Sequence, residues 1–143
     1  MAITSAICNS FKQEILEAEH NFTASTGDTF NLALYDSDAV LSKSTTAYTT
    51  SEELATTGGY TAKGNALTSV TPVLDSDTAV CDFANTSWTS ASFTARGCLI
   101  FNDDNSDTSV CAIDFGGDKT VTSGTFTVEF PAAAASTAII QIA

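Results

Sequence analysis

The spacing of hydrophobic positions changes once along this chain. Near the amino end, Cys8, Phe11, Ile15 and Leu16 recur at the three-to-four-residue spacing that stacks side chains on one helical face. Lys12, Gln13, Glu14, Glu17 and Glu19 fall on the opposite face. The pattern predicts an amphipathic helix over residues 5–19, capped by Ser5 or Thr4. Two roles fit it. The apolar face packs on its own domain, or residues 1–20 form an arm that docks on a partner through Phe11, Ile15 and Leu16.

From Asn21 onward the period shortens to two. Residues 29–35 alternate, with Phe30, Leu32 and Leu34 on one face, and the run breaks at Asp36-Ser37-Asp38. Residues 45–50 predict a short polar strand, Thr57-Gly58-Gly59 a turn, and residues 60–62 the start of another strand. A strand over residues 66–73 contains Pro72, which lacks an N–H and so belongs at a sheet edge. Asp75-Ser76-Asp77 turns the chain into an alternating strand at residues 78–83. Residues 87–100 form a long run with Gly97 as a bulge, and residues 109–115 return beside it as a hairpin around the polar tip 102–107. Gly116-Gly117-Asp118 predicts a further turn. Strands at 120–121 and 125–130 then flank Ser123-Gly124, and a last strand covers 138–142. Roughly eight to ten short strands without alternating helices predict a mainly β fold. The expected architecture is an antiparallel β-sandwich or jelly-roll-like domain with one N-terminal amphipathic α-helix. It is one domain over residues 1–143, helical over 1–20 and sandwich over 21–143.

Composition sharpens this picture. Charged residues are 15% of the chain, yet Thr (23) and Ser (16) are abundant, so hydroxyls supply much of the surface polarity. Five basic residues face seventeen acidic ones, a net charge of −12, which repels phosphates. No nucleic-acid partner and no membrane partner are expected. The amino terminus lacks a basic and apolar leader pattern, so synthesis in a cytoplasm is expected. Cys8, Cys81, Cys98 and Cys111 form no CxxC pair, and free buried thiols are favoured over two disulfides. The sequons at Asn21 and Asn85 then follow from the abundance of Thr and Ser.

Candidate chemistry is sparse. Asp103, Asn105 and Asp107 repeat at the alternate spacing of a calcium loop, with Asp114 twelve positions into the frame. Thr108 stands where that loop needs glycine, and no helices flank it, so a solvated hairpin tip fits better and no metal or other cofactor is expected. Asp114-Phe115-Gly116 matches a kinase tripeptide without any of the accompanying kinase motifs. His20 is the sole histidine and no G-x-S-x-G elbow exists, so no catalytic residues are assigned and no enzyme activity is expected. His20 suits the carboxyl end of the helix. Arg96 is expected to bond an acid such as Asp82 or Asp114. Trp88, Tyr35, Tyr48, Tyr60 and Phe93 fit a sandwich core, or alternatively a sugar-binding face.

Several stretches resemble, in order, a family of small tailed-bacteriophage virion proteins. They include Asn9-Ser10-Phe11-Lys12-Gln13-Glu14-Ile15-Leu16, Thr26-Gly27-Asp28-Thr29-Phe30, Gly59-Tyr60-Thr61-Ala62, Ala95-Arg96-Gly97 and Asp114-Phe115-Gly116-Gly117-Asp118-Lys119. The resemblance implies a virion location and no catalytic residues. Within a virion the expected role is capsid decoration, or cement, binding the major capsid protein or another virion protein as a homo-oligomer, with a trimer expected. The alternatives are a neck, tail-tip or fibre component that contacts the host, and a carbohydrate-binding module.

Overall fold

A computed structural model describes residues 2–143. The fold is mainly β, with two antiparallel sheets and one short helix, consistent with a β-sandwich. The elements are β1 (Ala6–Ile7), α1 (Asn9–Leu16), β2 (Phe30–Tyr35), β3 (Asn65–Ala66), β4 (Ser69–Asp75), β5 (Thr78–Phe83), β6 (Thr86–Asn102), β7 (Thr108–Val128) and β8 (Ile140–Ile142). A five-stranded sheet runs β1-β7-β6-β2-β3, and a three-stranded sheet runs β4-β5-β8.

The main core lies between the sheets. Leu32 and Leu34 of β2, Cys98 and Ile100 of β6, and Val110 of β7 pack with Cys81 and Phe83 of β5 and Ile140 of β8. β2 is buried on both faces, because Ala33 and Tyr35 join a second cluster with Ile3, Leu41, Leu99 and Phe101. The connection from β2 to β3 covers this outer face of the large sheet. The strand expected over residues 45–50 is, in the structure, a single bridge between Ala47 and Thr108. Nor is there a strand at residues 60–62.

The hairpin of β6 and β7 is longer than its turn signals suggest. Gly116 and Gly117 do not end a strand. The partners step from Gly97↔Asp114 to Ala95↔Lys119, so the glycines form a bulge and Gly116 takes φ +81°. Ser123-Gly124 is a second irregularity, with Ser123 at φ +46°, and β7 continues to Val128. In both places the uninterrupted β6 holds β7 in line. Gly97 does fall at a register shift, and a Cβ there would lie 2.4 Å from the Ile113 carbonyl oxygen. Pro72 sits in β4, an edge strand, as expected. The 78–83 strand keeps its predicted bounds, whereas the last strand begins at Ile140.

The helix is shorter than the predicted 5–19. Residues 6–7 pair with β7 instead, and the backbone N–H groups of Cys8 and Asn9 donate to the carbonyls of Val110 and Lys43. Cys8 is therefore the N-cap, without a side-chain cap, and the Ser5 hydroxyl accepts the Asp114 N–H instead. Ala18, at φ 60°, stops the helix one residue after Glu17.

Candidate functional site

Three residues of α1 were docking candidates, and the structure separates them. Phe11 is buried at 4% exposure and packs its ring against His20 (4.9 Å) and Phe22 (5.9 Å). It anchors the helix to the body. Ile15 is half-buried against the core, and Leu16 stands 88% exposed. Only Ile15 and Leu16 therefore face outward from the seated helix.

His20 lies beyond the helix, with its side chain wholly buried. Its Nε2 is 2.6 Å from Glu14 Oε2, and its Nδ1 is 3.1 Å from Asn102 Nδ2. Asn102 Nδ2 also donates to Asp28, while its Oδ1 accepts the Asp104 N–H. The amide nitrogen thus meets Nδ1 as donor to acceptor, which places the imidazole proton on Nε2, toward Glu14. This network ties the helix to the tip of the β6–β7 hairpin.

The hairpin tip holds no vacant ligand set. Lys63 Nζ reaches Asp103 (2.8 Å) and Asp107 (3.0 Å), so an ammonium stands where a calcium ion would. Hydrogen bonds that Lys63 donates to both carboxylates hold it above the usual lysine range. Asn105 turns the other way and donates to the carbonyl and carboxylate of Glu19. Sequence spacing located the acids, but Lys63, distant in the chain, was invisible to it.

Glu53 is a further organising residue without a sequence signal. It accepts the hydroxyls of Tyr48 and Tyr60 and the backbone N–H of Lys63. The Tyr60 oxygen in turn accepts the Leu34 N–H. Burial, with the Glu53 hydrogen bond and charge next, pushes the Tyr48 phenol up to about 12. Arg96 donates to Asp114 at 2.9 Å with Asp118 nearby at 3.8 Å. That bond, helped by the Gly116 N–H, holds Asp114 below the usual carboxylate range. Asp82, the other acid considered for Arg96, is instead 1% exposed in β5, where its Oδ1 accepts the Phe83 N–H and the Ile139 N–H also acts on the carboxylate.

The four cysteines are free and buried. Cys98 sits opposite Ile113, and Cys111 opposite Ile100, so the two thiols are offset along the ladder. Burial pushes Cys81 and Cys111 up to about 12, which suppresses the thiolate form needed for nucleophilic or metal chemistry. Tyr35, Tyr60 and Trp88 are buried, and Phe93 packs on the same core, leaving no row of exposed rings among these five. Asp36, Asp38 and Glu52 bring carboxylate oxygens within 4.8 Å of one another at an exposed turn, a grouping their sequence separation concealed. Among the described residues no helix is long and apolar enough to cross a membrane.

Two apolar troughs flank β8. One, of about 460 Å³, runs between Phe115, Phe126 and Val128 of β7 and the segment holding Phe130 and Ile139. The other, of about 440 Å³, lies between Ile7, Ile15 and Leu16 on one side and Ile140 and Ile142 on the other. No family model, no curated protein and no solved structure matches this chain.

Proposed function

We propose that this chain is a non-enzymatic structural protein of a tailed-bacteriophage virion. In this reading it is a decoration, or cement, protein that binds and stabilises the shell built by the major capsid protein. It acts as a homo-oligomer, with a trimer expected, and is made in the host bacterial cytoplasm. The observation that carries the proposal is where the reactive side chains go. Lys63 with Asp103 and Asp107, His20 with Glu14, and Arg96 with Asp114 are each paired within one framework. Function then rests on the exterior, which is hydroxyl-rich and acidic, with a net charge of −12. Such a surface complements a basic patch on a shell. The resemblance of several stretches to small virion proteins supports the same reading, as do four free thiols, which suit a reducing compartment. Binding assembled shells rather than dissociated subunits stabilises them by mass action.

Quantitative mass spectrometry of purified particles tests the reading. Hundreds of copies in fixed proportion to the shell subunit are expected. A few to a few tens would place the protein in the neck or tail instead. Absence from particles would overturn the virion reading.

A further inference from the structure

We propose that His20 and Asn102 form a proton-operated latch between α1, the segment before β2 and the tip of the β6–β7 hairpin. A second proton on His20 turns the Asn102 amide and releases it. The inference concerns how the fold answers acid and is independent of the virion reading.

The latch follows from the direction of each hydrogen bond. Two partners fix the orientation of the Asn102 amide. Its Oδ1 meets the Asp104 N–H at 3.1 Å, a group that only donates, and its Nδ2 meets the Asp28 carboxylate at 2.8 Å, a group that only accepts. The same Nδ2 lies 3.1 Å from His20 Nδ1, so Nδ1 carries no hydrogen and accepts. The single imidazole proton sits on Nε2, 2.6 Å from Glu14 Oε2. The side chain is wholly buried, so bulk water offers no acceptor to a new proton on Nδ1. With that proton in place, the ring and Asn102 Nδ2 both donate into one contact, which is costly in a buried site. Half a turn of the amide returns an acceptor to the ring. It also points Oδ1 at the Asp28 carboxylate and Nδ2 at the Asp104 N–H, so both bonds that held Asn102 are lost together. The latched state carries one proton fewer than the released state. Acid therefore favours release and base favours latching.

The surroundings decide which partner moves. The charged groups beside the ring are carboxylates, Glu14 of α1 directly and Asp28 across Asn102. One step further out, the Asp104 carboxylate accepts the Thr29 N–H and the Glu19 carboxylate accepts from Asn105. Lys12, the cation of α1, turns to Asn9 instead. The remaining contacts are the rings of Phe11 on α1, Phe22 on the following segment and Phe30 on β2. An imidazolium is thus held by Glu14 and packed among rings, and the neutral amide is the group free to turn. Release is local. Asp28 still accepts the Asn21 N–H and Asn105 still donates to the Glu19 carbonyl, so the body of the fold persists while the hairpin tip loses its tie through Asn102.

The test uses the full chain, isotope-labelled and followed by nuclear magnetic resonance from about pH 8 to about pH 5, the span over which histidine ordinarily changes charge. His20 is the sole histidine, so its ring signals are unambiguous. The expected result is one common midpoint for the His20 ring nitrogens, the Asn102 side-chain amide and the Asp104 backbone amide. Below that midpoint the Asp104 amide should lose at least about tenfold of its protection against hydrogen exchange, while the far-ultraviolet circular dichroism stays constant. Glu14→Gln keeps an acceptor for the Nε2 proton and removes the charge that attracts the imidazolium. It should move the shared midpoint to lower pH for all three signals together. A ring that gains its proton while Asn102 and Asp104 stay unchanged overturns the proposal, as does a ring still neutral at the acid end of the titration. A shift in Glu14→Gln confined to the ring, or loss of the whole fold over the same span, overturns it as well.

Discussion

At the residue scale, Asp82 is the side chain most at odds with its surroundings. It is buried, and burial raises its pKa against the opposing pull of the Phe83 and Ile139 N–H groups. The sign of the linkage follows. The native state keeps this proton to higher pH than the unfolded chain, whose value is near 3.8. Its contribution is most favourable below that value and is lost as pH rises through the native one. At pH 7 the charge is a cost. Asp82→Asn keeps an acceptor for the Phe83 N–H and removes the charge. It should therefore raise unfolding free energy at pH 7 by about 1 kcal/mol. Urea titrations of both proteins at pH 7 and below pH 3.8 check this. An advantage that persists undiminished in acid would mean that the charge was not its source.

At the scale of the element, α1 divides into a seated part and an outward part. Phe11→Ala removes a ring packed on His20 and Phe22, and should cost about 3–5 kcal/mol. Leu16→Ala should stay within about 0.5 kcal/mol of the parent, because Leu16 is exposed. Chemical denaturation of the two variants distinguishes a packed helix from a detached arm. Equal, small losses would contradict the packing described. The same helix shows what periodicity can and cannot reveal. The Phe11 face was legible because spacing reports which residues share a side. The start of the helix was not, because residues 6–7 have a tertiary partner in β7, and pairing outweighs local propensity. The β6–β7 hairpin was legible in its alternation, whereas its glycines suggested turns. Glycine permits a kink without saying whether a neighbouring strand will carry the chain onward, and here β6 does. At the hairpin tip the acids were evident from spacing and their counter-ion was not, since Lys63 is 40 positions from Asp103.

At the scale of the whole molecule, seventeen acids and five bases share one small body, and two of those bases, Lys63 and Arg96, already pair with carboxylates. Self-repulsion among the remaining acids opposes the compact state and is screened by salt over a Debye length of about 30 Å at 0.01 M and 8 Å at 0.15 M. The thermal midpoint should therefore rise when sodium chloride is added across that range. Differential scanning calorimetry measures it, and a flat or falling midpoint would show that the acids are locally neutralised. Buried apolar packing between the sheets is far less sensitive to this change.

The order of strands also dictates when folding can finish. Ser5 meets Asp114 of β7 across 109 positions of chain, with β1 paired beside it, the small sheet closes only with β8, and β6 cannot complete its ladder until Val128 exists. A ribosome emits this chain from the amino end, so α1 and β2 leave the exit tunnel long before β6 and β7, against which they pack. Closing such distant contacts is slow, on the order of milliseconds to seconds. During that interval Phe11, Phe22 and Phe30, which end as one packed cluster, lack the cover of Phe83 and the later strands. The nascent chain must remain soluble on its acids and hydroxyls until β8 arrives, so the acidity that strains the finished fold protects the unfinished one.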